Sequence, residues 1–331
     1  MNPDKKIAIL GGGSWATAII KMLSNRNKKI AWWMRDENAI QHIKKKGHNP
    51  KYLTGVEIDT RIVKVSIDLN EVCAQADILI LVVPSAFLHD TLSQLKVDIS
   101  KKMIFSAVKG IVPHKNQIVG EYMQNEFNIP ISQIGVITGP CHAEEVALGR
   151  LSYLTVACEN LQRAQWMADR LACNYIKTIT SEDIYGTEYS AVLKNVVAIA
   201  AGIGHGLGYG DNFLSVLISN AIREIKRFVD IVHPISRDIK DSAYLGDLLV
   251  TAYSKFSRNR QFGTYIGKGY SVKNAQLDMN MIAEGYYAVN CIKEMNEKYG
   301  VKMPITDAVY RIIYEKIDPS IEFKLLAEEL D

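Results

Sequence analysis

The feature that most limits the fold of this chain is an alternation. From residue 5 to about residue 180, short β-branched runs are separated by longer stretches with helical spacing, an order that predicts a parallel sheet covered by helices. The expected strands cover residues 7–10, 30–34, 62–66, 78–83, 103–107, 134–138, 153–157 and 175–179. The run Ile78-Leu79-Ile80-Leu81-Val82-Val83 has no polar alternation, as expected of a central strand buried on both faces, and Pro84 ends its pairing. From about Ser181 the period changes. Apolar residues recur at three and four, as at Val192, Val196, Ile199 and Ile203, so the second half is expected to be helical, with further helices over 213–232, 244–256, 281–299 and 305–315. At 331 residues the chain is long enough for about two domains, and the change of period divides it into 1–180 and 181–331.

Composition removes several classes of function. Lys plus Arg exceed Asp plus Glu by 39 − 36 = +3, spread along the chain, so no strong basic field marks a nucleic-acid binder. The five cysteines are odd in number and form no C-x-x-C pair, which argues against a disulfide framework or a zinc knuckle, and no metal site is expected. No apolar run approaches the roughly 20 residues that span a bilayer. The opening Met-Asn-Pro-Asp-Lys-Lys lacks the apolar core and small-residue cleavage site of a secretory leader. A soluble, cytoplasmic protein is therefore expected.

Ile7-Ala8-Ile9-Leu10-Gly11-Gly12-Gly13-Ser14-Trp15-Ala16-Thr17-Ala18 places G-x-G-x-x-A between the first strand and the first helix. Gly11 permits the tight turn, Gly13 carries no Cβ to obstruct a pyrophosphate, and Ala16 lets the helix pack close to the strand. The helix N-terminus adds amide N–H groups and partial positive charge. This is the signal for a Rossmann-type dinucleotide site, and the expected architecture is an N-terminal doubly wound α/β sheet followed by an all-α C-terminal domain. The second strand ends at Arg35-Asp36. Arg35 suits a 2′-phosphate and Asp36 a ribose hydroxyl, so NADP is tolerated and NAD is not excluded.

Two further stretches carry chemistry. In Ala191-Val192-Leu193-Lys194-Asn195-Val196-Val197, the polar pair sits in a helix that is apolar on every face. A lysine buried there loses basicity and becomes an acid or base near neutral pH; the alternative is a side chain that snorkels to the surface. The glycine-rich stretch 202–212 that follows is too flexible for a helix and lets backbone approach a ligand or a neighbouring element, with His205 expected as a loop residue. Asp247 precedes an apolar segment, and Ser257-Arg258-Asn259 follows one helix length later, a set suited to an anion. A capping Asp247 beside a solvated basic turn is the plainer alternative. Lys109, after the strand at 103–107, and Cys141, after the strand at 134–138, lie where open α/β sheets bind ligands.

Taken in order, Gly11–Ala18, Val82-Val83-Pro84-Ser85, Val108-Lys109-Gly110, Thr138-Gly139-Pro140, Leu193-Lys194-Asn195, Gly206–Asn212, Gly246-Asp247-Leu248, Ser257-Arg258-Asn259 and Ala283-Glu284-Gly285 resemble the bacterial NAD(P)-dependent glycerol-3-phosphate dehydrogenases over nearly the whole chain. The resemblance implies NAD or NADP as cofactor, with contacts from the Gly11 and Gly13 turn and from Ser14, Trp15, Arg35, Lys109, Ala143, Arg258, Ile282 and Glu284. It implies a substrate site of Lys109, Gly139, Cys141, Lys194, Asp247, Ser257, Arg258 and Asn259, with Lys194, Asp247 and Asn195 catalytic. The implied reaction is the reversible reduction of dihydroxyacetone phosphate to sn-glycerol 3-phosphate, supplying glycerophospholipid synthesis, with a homodimer as the default assembly. Two positions depart from the family pattern: Ala16 replaces the third glycine, and Cys141 replaces a serine that would be a stronger donor. A related two-domain dehydrogenase of a β-hydroxyacid or a sugar acid, which needs no phosphate clamp, and a non-catalytic dinucleotide sensor are the alternatives.

Overall fold

The computed structural model describes residues 5–26, 29–113, 115–279 and 283–331. The chain divides into two compact units, Met1–Val108 with Val119–Ile184, and Lys109–Ile118 with Tyr185–Asp331. The strands are β1 (Ile7–Leu10), β2 (Ile30–Trp33), β3 (Val63–Ser66), β4 (Ile78–Leu81), β5 (Met103–Ser106), β6 (Ile111–Val112), β7 (Gln117–Ile118), β8 (Ile134–Thr138), β9 (Ser152–Cys158) and β10 (Ile176–Ser181). The helices of the first unit are α1 (Ser14–Ser24), α2 (Glu37–Lys46), α3 (Leu69–Gln75), α4 (Ser85–Leu92), α5 (Val119–Phe127), α6 (Ala143–Ala147) and α7 (Leu161–Leu171).

Among the described residues, eight strands form one sheet in the order β10-β9-β8-β5-β4-β1-β2-β3. Strands β1, β4, β5 and β8 are buried at every residue, which their unbroken apolar runs require of strands covered on both faces. The chain winds outward from β1 to β3 and then restarts at β4 on the other side of β1, so the loop after β1 opens at the point where strand order reverses. The sheet departs from the all-parallel expectation at one place: β9 runs antiparallel to β8, pairing Thr138 with Thr155. The intervening α6 has only five residues, too short for a crossover helix, and the chain doubles back instead.

The second unit holds α8 (Ile184–Gly206), α9 (Asp211–Val232), α10 (Asp247–Tyr253), α11 (Arg258–Gly267), α12 (Val272–Asp278), α13 (Glu284–Tyr299), α14 (Pro304–Ile313) and α15 (Pro319–Glu329). Its core gathers Leu193, Val196, Ile199, Leu217, Phe228, Phe262 and Ile292. The hairpin β6–β7 joins this core, because its paired Ile111 and Ile118 are apolar side chains that pack with the helices. The helix expected at 244–256 is instead a π-helical turn at Ser242–Gly246 leading into α10. The first residues of the helix expected at 281–299, Met281 and Ile282, lie outside the described residues. Among the described residues no helix is long and apolar enough to cross a membrane.

One expectation is corrected here. The glycine-rich stretch does not leave the helix at Gly202; α8 runs on to Gly206, with His205 exposed in its last turn. Tertiary contact decides this. A Cβ on Gly202 would stand 2.0 Å from the Arg260 carbonyl oxygen, and one on Gly263 would stand 2.1 Å from that of Ile199. Helices α8 and α11 therefore cross backbone against backbone, and the packing outweighs the roughly 1 kcal/mol that each glycine costs a helix interior.

Candidate active site

In the first unit the turn after β1 has two glycines with different causes. Gly11 takes φ +134°, and a Cβ there would lie 2.6 Å from the Val82 carbonyl oxygen, so the protein itself requires glycine. Gly13 is extended, at φ −83° and ψ −174°, and a Cβ on it would meet nothing within 4 Å. No packing demands glycine at that position. The first turn of α1 has no side-chain cap, an arrangement that could take a pyrophosphate drawn close to the backbone. Trp32 Nε1 donates to the Gly11 carbonyl at 2.6 Å, and Thr17 Oγ1 donates to that of Gly13 at 3.0 Å, so the turn is braced from behind. Ser14 and Trp15 open α1, and Ala16 is fully buried.

Arg35, exposed at the end of β2, places its guanidinium 5.3 Å from the Phe87 ring centroid. Asp36 is already engaged: it caps α2, accepting from Ala39 N at 3.0 Å, and pairs with Lys51 at 2.5 Å. After β8, Gly139 passes close behind β9, where a Cβ would lie 2.9 Å from the Tyr153 carbonyl oxygen. Cys141 and Ala143 follow it, both buried.

The second unit brings together residues that are far apart in sequence. Lys194, on α8, is only 4% exposed, which removes the snorkelling alternative. Its Nζ donates to Asp247 Oδ1 at 2.5 Å and to Thr251 Oγ1 at 3.0 Å. Asp247 is 1% exposed, and its other oxygen receives Lys109 Nζ at 3.3 Å. One carboxylate thus holds two ammonium groups. Lys109 reaches it from the start of the segment that the β6–β7 hairpin fastens to the helical core.

Burial pushes the Lys194 amine down to about 7, helped by the neighbouring Lys109 charge and opposed by Asp247. Burial works the other way on Asp247, but the two ammonium groups outweigh it and hold the carboxyl below its usual range. Asn195, expected as a catalytic partner of Lys194, makes its hydrogen bond elsewhere. Its Nδ2 donates to the Lys109 carbonyl oxygen at 2.6 Å, because consecutive helical residues point about 100° apart. The orienting hydroxyl is that of Thr251, which sequence reading missed. Its signal was the spacing of four from Asp247, which places both on one face of α10. Thr251 Oγ1 donates its own proton to the Asp247 carbonyl at 2.6 Å, so it accepts from Lys194.

Ser257 caps α11 through Arg260 N, Arg258 is its first helical residue, and Asn259 is buried beside them. Asn259 Oδ1 accepts from Gly285 N at 2.9 Å, which fixes the amide with its donor side turned away from that contact. Glu284 begins α13, and Ile282 lies outside the described residues. Among the described residues no group of three or more His, Cys, Asp or Glu side chains is placed to hold a metal ion.

A glycine turn at the switch point of a doubly wound sheet, in a chain whose helical unit buries a lysine against an aspartate, is the arrangement expected of a nicotinamide-dependent dehydrogenase. Comparison with known proteins narrows the class. The sequence model described as NAD-dependent glycerol-3-phosphate dehydrogenase N-terminus matches residues 6–164, and its C-terminus counterpart matches 183–324. The chain belongs to the NAD-dependent glycerol-3-phosphate dehydrogenase family. It is 35% identical to glycerol-3-phosphate dehydrogenase [NAD(P)+] of Clostridium botulinum (strain Eklund 17B / Type B), over 98% of this chain and 96% of that protein. It is 34% identical to the Bacillus subtilis (strain 168) protein of the same name, over 96% and 93%. Among solved structures, glycerol-3-phosphate dehydrogenase from Coxiella burnetii superposes with a TM-score of 0.90 at 29% identity, covering 99% of this chain and all of that one.

Proposed function

We propose that this chain catalyses the reversible NAD(P)H-dependent reduction of dihydroxyacetone phosphate to sn-glycerol 3-phosphate. The observation that carries the reading is the buried Lys194 held by Asp247 and Thr251, with Lys109 on the second carboxylate oxygen. When bound, the nicotinamide cofactor supplies or accepts the hydride. The turn at Gly11 and Gly13, with Ser14, Trp15, Arg35 and Ala143, holds the dinucleotide; Lys109, Arg258 and Glu284 are further proposed contacts.

As the substrate carbonyl gains alkoxide character, protonated Lys194 stabilises the oxygen and donates a proton at Nζ; in the oxidative direction the neutral amine takes it back. Asp247 keeps that ammonium aimed and balances the charge of Lys109. Arg258, Asn259 and Ser257 hold the substrate phosphate, whose binding energy positions the carbonyl. Gly139 and Cys141 are retained as proposed substrate contacts. The main part of dinucleotide binding is assigned to residues 1–180 and of substrate chemistry to 181–331, with Lys109, Gly139 and Cys141 also assigned to the substrate and Arg258 and Glu284 also to the cofactor.

The reading includes a cytoplasmic homodimer that supplies glycerophospholipid synthesis; light scattering after gel filtration checks the dimer. The direct test mixes the protein with NADH or NADPH and dihydroxyacetone phosphate and follows nucleotide absorbance. Oxidation that requires the phosphorylated ketone is expected. Equal turnover of unphosphorylated hydroxyacids, or none with the triose phosphate, overturns the assignment.

A further inference from the structure

The end of β2 presents two residues that a dinucleotide site reads in opposite senses. An arginine there favours a 2′-phosphate, whereas a carboxylate favours unmodified ribose hydroxyls. Asp36 has been withdrawn from the second role. One oxygen caps α2 and the other takes the Lys51 ammonium at 2.5 Å. The Lys51 hydrogen bond, aided by the Ala39 amide, pulls the Asp36 carboxyl below its usual range, so the pair stays ionised across neutral pH.

An exposed ion pair of this kind contributes little to stability. What separates it from an ordinary surface contact is how Lys51 is held. Asn49, 1% exposed, donates through Nδ2 to the Gly12 carbonyl oxygen at 3.2 Å and to Thr17 Oγ1 at 3.0 Å. Its Oδ1 accepts from Lys51 N at 3.0 Å and Tyr52 N at 3.2 Å. A single buried amide therefore ties the backbone of Lys51 to the same turn that faces the pyrophosphate. The main chain of Lys51 is fixed relative to that turn, and its ammonium arrives at the residue next to Arg35. Lysine and arginine together form a pair of donors suited to a phosphate dianion.

We propose that Lys51 sets the cofactor preference, occupying Asp36 and adding a second cation close to Arg35, so that the site selects the 2′-phosphorylated dinucleotide, NADP(H), over NAD(H). The proposal rests on reading residues 11–17 as the dinucleotide turn.

Calorimetric titration of the full chain with 2′,5′-ADP and with 5′-ADP isolates the 2′-phosphate from the rest of the cofactor. Wild type is expected to bind 2′,5′-ADP at least about tenfold tighter. Lys51→Met is expected to remove most of that difference by weakening 2′,5′-ADP alone, with 5′-ADP held as well or better once Asp36 is released. Lys51→Arg is expected to keep the preference. Because the readout is a difference between two ligands on one protein, a general loss of fold cannot imitate it. Equal binding of both nucleotides by wild type, or a preference that survives Lys51→Met, overturns the proposal while leaving the dinucleotide reading intact. If neither nucleotide binds, the dinucleotide reading falls and the proposal falls with it.

Discussion

The sheet unit and the helical unit use glycine for opposite purposes. In the sheet unit Gly13 faces open space, and the reading proposed for it is a ligand that the turn admits. In the helical unit Gly202 and Gly263 face carbonyl oxygens of the crossing helix and are explained by the protein alone. The functional groups divide in a parallel way. The proposed dinucleotide turn is one contiguous stretch, whereas the proposed acid–base group is assembled from α8, α10 and the segment before the β6–β7 hairpin. A local motif is enough where the ligand is gripped by backbone. Side-chain chemistry in a dry interior needs partners, and partners come from wherever the fold can deliver them.

Substitutions can break or sharpen this contrast. Lys194→Met should lower turnover at least about a thousandfold, since it removes both the proton donor and the charge that stabilises the alkoxide. Nucleotide affinity, followed by fluorescence titration, should stay within about twofold. Turnover surviving within tenfold would show that the cluster is structural. Gly202→Ala and Gly13→Ala form the next pair. The first should cost about 3 kcal/mol in denaturant unfolding, because the new methyl collides with backbone. The second should leave stability within about 0.5 kcal/mol yet weaken NAD(P)H binding about tenfold.

Arg258→Ala should raise KM for dihydroxyacetone phosphate by about tenfold to a hundredfold, with a smaller change in kcat; an unchanged KM moves the phosphate site elsewhere. The pH dependence follows from the Lys194 amine lying near 7. Reduction needs the ammonium, so kcat/KM for ketone reduction should fall as pH rises through that value, and alcohol oxidation should fall as pH drops through it. Asp247→Asn removes the group that holds the proton on, and pH–rate profiles should show the limb moving to lower pH. The smallest effect is expected for Thr251→Val, a loss of about threefold to tenfold in kcat with little change in KM.

Much of the first unit was legible because its strands are short apolar runs with clear ends; the boundaries of β1 and β8 agree with the expected 7–10 and 134–138. The reversal at β9 was not legible, since nothing in an apolar run states its direction. In the second unit the burial of Lys194 was legible from the apolar residues around it. Its partner Thr251 was not, because a threonine in an apolar helix has no distinguishing mark until Asp247 is known to face Lys194. The continuation of α8 through Gly206 was hidden for a related reason: local propensity argued against helix, and the contact with α11 that reverses the balance lies across the fold.

The sequence alone determined the character of each stretch: a glycine turn of the kind that can admit phosphates, strands buried on both faces, and a lysine too deep in apolar surroundings to keep its ordinary basicity. Only the tertiary structure decided which groups meet. Short-range pattern fixes burial and local backbone form, whereas the two lysines on one carboxylate and the asparagine pinned beneath Lys51 depend on contacts between distant elements, which no local period encodes.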